Sequence, residues 1–160
     1  MDWPTIILEC GVSEMPRRLK ADARWWFENS DGAVILVLLF FVSVRDKTIR
    51  IELWKRATVE NLQPTRGNDG GEVTGPTLQR VINITPESVT GAPLKLKFED
   101  IFLRKPKTKR GEANYTITEH DLRTYYNHVW PPVPEASSQD ESSAEAESRA
   151  ISASEGFVVD

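Results

Sequence analysis

The run from Ala33 to Val44, apolar at every position except Ser43, constrains this chain more than any other segment. As a helix it would span roughly 18 Å at ~1.5 Å per residue, well short of the ~30 Å bilayer core. Rich in β-branched and aromatic residues and without polar alternation, it reads as a strand covered on both faces. What precedes it sets its partner. Pro4 to Cys10 is a second β-branched-rich run, and Gly11 is expected to break it. Between the two lies a helical pattern to about Glu28, with Ser13 as its expected N-cap and Glu14 and Pro16 in its first turn. Leu19, Ala23 and Trp26 supply its apolar stripe, and Asn29-Ser30-Asp31-Gly32 ends it. Strand, helix, strand in this order predicts a parallel, right-handed βαβ unit.

The rest adds a hairpin and a C-terminal helix. Arg45-Asp46-Lys47-Thr48 is a turn, and Ile49, Ile51 and Leu53 alternate with Arg50, Glu52 and Trp54 in a strand with one face partly exposed. Residues 63–76 read as a polar, Gly-rich, mobile loop. Short strands are expected at Leu78–Ile84 and Leu94–Phe98, the second leading into a helical turn at Glu99–Leu103, and 104–114 is a basic loop. Thr118 and Asp121 stand at capping-box spacing ahead of a helix whose apolar positions are Leu122, Tyr125, Tyr126, Val129 and Trp130, stopped by Pro131-Pro132. The fold class expected is therefore α/β: a mixed sheet with a βαβ crossover, a hairpin and a C-terminal helix.

Charge divides the chain. The net charge of -4 combines seven acids and one base in residues 133–160, a tail of -6, with a body of +2. The tail is Ser-, Ala- and Glu-rich and is expected to be disordered; residues 1–132 are expected to form one domain. Cys10 is the single cysteine, which excludes an intramolecular disulfide and a cysteine zinc site and fits a reducing compartment, nucleus or cytoplasm. It reads as a small buried hydrophobe on the face opposite Glu9. His120 and His128 are eight apart and lack a ligand partner. No membrane contact is expected.

Glu9 stands mid-strand among apolar residues, where an unpaired charge is costly and needs a reason. One reason is metal ligation. The other is a strand-end glutamate paired with a helix base such as Arg17, Arg18 or Lys20. Those three residues, with Arg24, make one basic face. Arg104, Lys105, Lys107, Lys109 and Arg110 make a second cluster, five bases in seven residues, readable as phosphate contacts, an import signal or a solvated loop. Trp26 is expected in the core. Trp25 reads first as a core residue, with a lid at the sheet edge or an exposed stacking platform as the alternatives.

The order Pro-x-x-x-x-Glu-x-Gly-x-Ser-Glu from Pro4 to Glu14, the Leu19…Asp22…Trp26 helix and Val34-Ile35-Leu36-Val37-Leu38 resemble a group of uncharacterised fungal proteins. That group looks like a branch of the PD-(D/E)XK, or restriction-endonuclease-like, superfamily. The likeness continues in LKLKFEDIFLRKP (94–106) and ITEHDLRTYYNHVW (117–130). It implies that Glu9 matches the glutamate of Glu-x-Lys, with Gly11 at the lysine position and Glu14 as a partial substitute ligand. The Asp of the Pro-Asp element belongs on a strand before residue 4, where only Met1-Asp2-Trp3 stands, so the resemblance implies a core incomplete at its N-terminus. It further implies a nuclease-derived domain, catalytically inactive as this chain and binding DNA or RNA through the two basic clusters. Mg²⁺ is the cofactor if there is any, with none the stronger expectation. The alternative is a non-enzymatic interaction module. It would use the acidic tail or the unpaired edge of the Pro4–Cys10 strand, by self-association or by taking up a partner strand.

Overall fold

The computed structural model describes residues 3–13, 16–60 and 72–132, apart from the side chains of 59, 60, 72 and 73. The chain divides into two units, Met1–Trp130 and Pro131–Asp160. The expectations for Glu14, for 63–71 and for the acidic tail fall outside the described residues.

The fold is α/β. Strand β1 (Ile6–Val12), helix α1 (Pro16–Asn29) and strand β2 (Leu36–Ser43) form the βαβ unit, with β1 and β2 adjacent and parallel from Ile6 opposite Leu36 to Val12 opposite Val42. The Val44–Lys47 turn leads into β3 (Thr48–Glu60), antiparallel to β2, and β4 (Glu72–Ile84) returns antiparallel along β3. With β5 (Val89–Thr90) these make one mixed sheet in the order β1-β2-β3-β4-β5. A separate two-stranded sheet pairs β6 (Leu94–Leu96) with β7 (Tyr115–Ile117). Between them lie helix α2 (Phe98–Phe102) and a 3₁₀ turn at Thr108–Arg110; helix α3 (Glu119–Val129) closes the body.

Alternation assigns the two faces of the main sheet. Ile7, Val37 and Leu39 pack with Leu19, Ala23 and Phe27 of α1. On the other face Leu36, Leu38, Ile49, Ile51, Leu53, Ile82 and Ile84 pack with Leu94 of β6 and with Leu122 and Tyr126 of α3. Strand β2 is therefore covered on both sides along Leu36–Leu39, as its unbroken apolar run requires. α3 starts where expected: the Thr118 side chain accepts from the Asp121 N–H, and the Asp121 carboxylate accepts from the Thr118 N–H.

Several local expectations give way to packing. Gly11 does not end β1; it is a ladder residue opposite Phe41. Ser13 is no helix cap: its φ is +56° and its N–H donates to the Val42 carbonyl, so it closes the strand instead. Phe27, with no exposed surface, takes the core position expected of Trp26, which is half-buried. Residues 72–76 are strand, paired with β3 as far as Glu60 opposite Glu72, and not loop. Within α3, Leu122 and Tyr126 are buried, whereas Tyr125 and Val129 are exposed. Gly91 has a structural duty: its φ is +81°, and a Cβ there would run into the Val81 carbonyl oxygen. Among the described residues no helix is long and apolar enough to cross a membrane.

Candidate functional site

Glu9 lies on the α1 face of β1, in one cross-strand row with Leu39 of β2 and Glu52 of β3. Its partner is not a helix base. The Trp26 indole N–H donates to Glu9 Oε1 at 2.8 Å. Trp26 is in turn edge-to-face with Trp25 and with Trp3, ring centroids 5.1 and 5.9 Å away. Trp25 is exposed, contrary to the core role expected first, and completes this aromatic cluster beside the β1 edge.

The carboxylate that most needs explaining is Glu52, which retains 1% of its surface. Its Oε1 accepts from Arg50 Nε at 2.9 Å and faces Lys20 Nζ at 3.3 Å; its Oε2 accepts from the Trp54 indole N–H at 3.0 Å. Lys20 also lies over the Trp54 ring. Burial of an ionised carboxylate is costly, and two cations with an indole donor offset it. Oε1 ties α1 to the sheet through Lys20, and Oε2 is occupied by Trp54 of the same strand. Arg56 adds a further tie, donating to the Phe27 carbonyl near the end of α1. The face of Arg50, Glu52 and Trp54 is partly exposed, as expected, at Arg50 and Trp54, and Glu52 is the residue on it that α1 buries. The topology carried the signal: α1 must cover the face Glu9 occupies, and Glu52 is two strands along that same row.

The basic candidates separate accordingly. Arg17 and Arg18 are exposed on α1, and Lys20 is tied to Glu52. In the second cluster Arg104 is bidentate with Glu112, at 2.6 and 2.9 Å. The Arg104 guanidinium and the Lys107 N–H lower the Glu112 pKa from its ordinary 4.5 to about 2. Lys105, Lys107, Lys109 and Arg110 are exposed around the 3₁₀ turn. Among the described residues no group of three or more His, Cys, Asp or Glu side chains is placed to hold a metal ion. Gly11 contributes no cation next to Glu9, and Glu14 lies outside the described residues.

The opposite face of β1 is different in kind. Leu8 is 61% exposed and Val12 55%, and Cys10 is exposed too, contrary to the buried role expected of it. Leu8 and Cys10 border a groove of about 330 Å³ between β1 and α3. Phe40, Ile51, Leu94, Ile117 and Leu122 line it, with Tyr125 and Asp121 at the α3 side. β1 is the outer strand of the sheet. Neither β4 nor β6 covers its edge, since β4 lies beyond β3 and β6 pairs with β7.

The ladder phase tells which groups the edge presents. The Thr5 carbonyl accepts from Leu36 N–H, and Ser13 N–H donates to the Val42 carbonyl. Parallel pairing turns both backbone groups of alternate residues toward one neighbour, so the odd-numbered residues of β1 face β2. Ile6, Leu8, Cys10 and Val12 therefore direct their N–H and C=O groups outward. The same four residues carry their side chains on the groove face. Comparison of the chain with protein-family models, with curated proteins and with solved structures found no match to any of them.

Proposed function

We propose that this chain is a protein-interaction module that takes up an extended segment of another polypeptide along β1. The observation that carries this reading is the coincidence of an outer strand edge, unpaired among the described residues, and an apolar groove on one side of the same strand. An added strand hydrogen-bonds to Ile6, Leu8, Cys10 and Val12. Its side chains opposite Leu8 and Cys10 then fall on the groove face, where two apolar residues fit a lining that is apolar apart from Asp121. The residue between them falls on the α1 face, opposite Glu9 and near exposed Trp25. A lysine or arginine suits that position, by charge toward Glu9 and by cation–π contact with an indole. The ligand class is thus apolar–basic–apolar in an extended conformation. A second copy of the chain fits less well: an antiparallel β1 pair centred on Glu9 sets two carboxylates directly opposite each other.

The test uses a synthetic peptide alternating valine and arginine, titrated into isotopically labelled protein. Expected are saturable shifts at Leu8, Cys10, Leu122 and Tyr125, with slowed exchange of the Leu8 and Cys10 amides. Cys10→Pro removes one outward N–H and none of the β1–β2 ladder, so the fold stays and binding falls at least tenfold. Equal binding by a glycine–arginine peptide, or an unaffected Cys10→Pro variant, overturns the reading. Concentration-dependent dimerisation through β1 would replace the peptide by a second copy.

Descent from a nuclease-like fold is a second reading. It is supported by the parallel β1–α1–β2 unit with a glutamate in its first strand. Under it the chain binds nucleic acid through Arg17, Arg18 and the Lys105–Arg110 loop and does not cleave it. Mg²⁺-dependent DNA cleavage abolished by Glu9→Gln would revive catalysis. Absence of oligonucleotide binding at low salt would remove the nucleic-acid role.

A further inference from the structure

We infer a second binding site, for a phosphate monoester carried on a small apolar or planar body, between the main sheet and the β6–β7 sheet. A cavity of about 230 Å³ opens there, remote in character from the apolar groove. Four cations from three parts of the fold border it: Lys55 of β3, Arg80 of β4, and Lys95 and Lys97 in and just after β6. The single acid among its lining residues is Asp100, which holds Lys55 Nζ at 2.7 Å. The lining therefore carries a net +3.

Two features separate this cluster from ordinary solvated lysines. Among the described residues neither Arg80, Lys95 nor Lys97 forms an ion pair. Arg80 reaches only the Pro93 carbonyl, at 3.4 Å, longer than a good hydrogen bond. The second feature is a bulge. The register of β4 against β3 slips between Leu53 and Trp54, opposite Arg80 and Leu78, leaving Gln79 as the extra residue. Bulges re-aim the side chains beside them. Here Arg80 stays on the face of Leu53 and Lys55 while the strand beyond it shifts.

The arrangement selects its ligand. Three uncommitted cations around one cavity suit a dianion with several acceptor oxygens better than a lone carboxylate, and a guanidinium gives two parallel donors to a phosphate. Leu53 and Leu96 supply an apolar wall for the rest of the molecule. The site shares no lining residue with the β1 groove, so it stands or falls separately from the peptide-binding reading.

The probes are phenyl phosphate and inorganic phosphate, titrated at constant ionic strength with chloride as the control and followed by amide shifts. Saturable shifts centred on Lys55, Arg80, Lys95 and Lys97 are expected. Phenyl phosphate should bind several-fold tighter than inorganic phosphate because of the apolar wall. Lys95→Gln with Lys97→Gln, both exposed, should weaken it at least tenfold with an unchanged melting temperature, and Arg80→Gln should do so independently. Cys10→Pro should bind phenyl phosphate like the parent. The proposal is overturned if the shifts fail to saturate or are spread equally over Arg17, Arg18 and Lys107. It is also overturned if a single-stranded oligonucleotide binds at these four residues while phenyl phosphate does not.

Discussion

Glu9 and Glu52 sit in the same cross-strand row on the same face of one sheet, separated by Leu39, and their circumstances are opposite. Both interrupt an apolar run: Ile7-Leu8-Glu9 in one strand, Ile51-Glu52-Leu53 in the other. Glu9 is at the edge, half-buried, with an indole N–H on one oxygen. Glu52 is in the interior under α1, with Arg50, Lys20 and Trp54 around it. The difference teaches that a carboxylate among apolar neighbours takes its role from its strand's place in the sheet. Among the described residues the edge acid is met by a single indole donor; the central one is enclosed by two cations and an indole, one of the cations from α1.

Glu52→Ala should break this contrast most severely. It leaves Arg50, Lys20 and the Trp54 N–H without their acceptor and opens a cavity under α1. Because both cations keep nearly half their surface, the expected loss is about 3 kcal/mol, the low end for a broken buried pair. Urea unfolding of the two proteins measures it, and a loss under ~1 kcal/mol would mean that Glu52 is not an anchor. Lys20→Met comes next, at no more than about 1 kcal/mol, since its side chain is 42% exposed and its charge screened. A double-mutant cycle with Glu52→Ala should show the two effects to be non-additive.

Glu9→Gln keeps a carbonyl oxygen for the Trp26 N–H, so stability should stay within about 0.5 kcal/mol of the parent. Affinity for the valine–arginine peptide should drop while that for a valine–serine peptide holds. An equal drop for both would place the charge preference elsewhere. The smallest effect on the fold is expected at a partly exposed surface carboxylate, Glu112. Its folded pKa of about 2 lies below the ordinary 4.5, so its pairing with Arg104 stabilises the fold fully above pH ~4.5 and is lost as pH falls through about 2. A carbon-detected titration should find that midpoint, and Arg104→Gln should move it back toward 4.5. Unfolding at neutral pH should hardly change.

Which parts of this were legible beforehand follows from the range of the interactions involved. The parallel β1–β2 pair, the crossover α1, the hairpin and the Thr118–Asp121 cap depend on apolar runs, spacing and turn residues within a few positions of one another, and those are present in the sequence. The position of β1 outermost among the described strands is read from the strand order. What required the tertiary structure is everything set by partners distant in sequence. Phe27 and Trp26 both lie on the inner half of α1, and only the angle at which the helix meets the sheet made Phe27 the core residue and Trp26 the donor to Glu9. Cys10 is exposed because α3 stops short of covering β1, leaving a groove that no local pattern announces. Glu52 is buried because its face happens to be the helix-covered one. Lys55, Arg80, Lys95 and Lys97 are spread over 43 positions and read singly as surface charges; a bulge in one strand and the packing of a second sheet bring them around one cavity. Short-range chemistry decides which elements form, and charge, burial and access are settled only when distant elements meet.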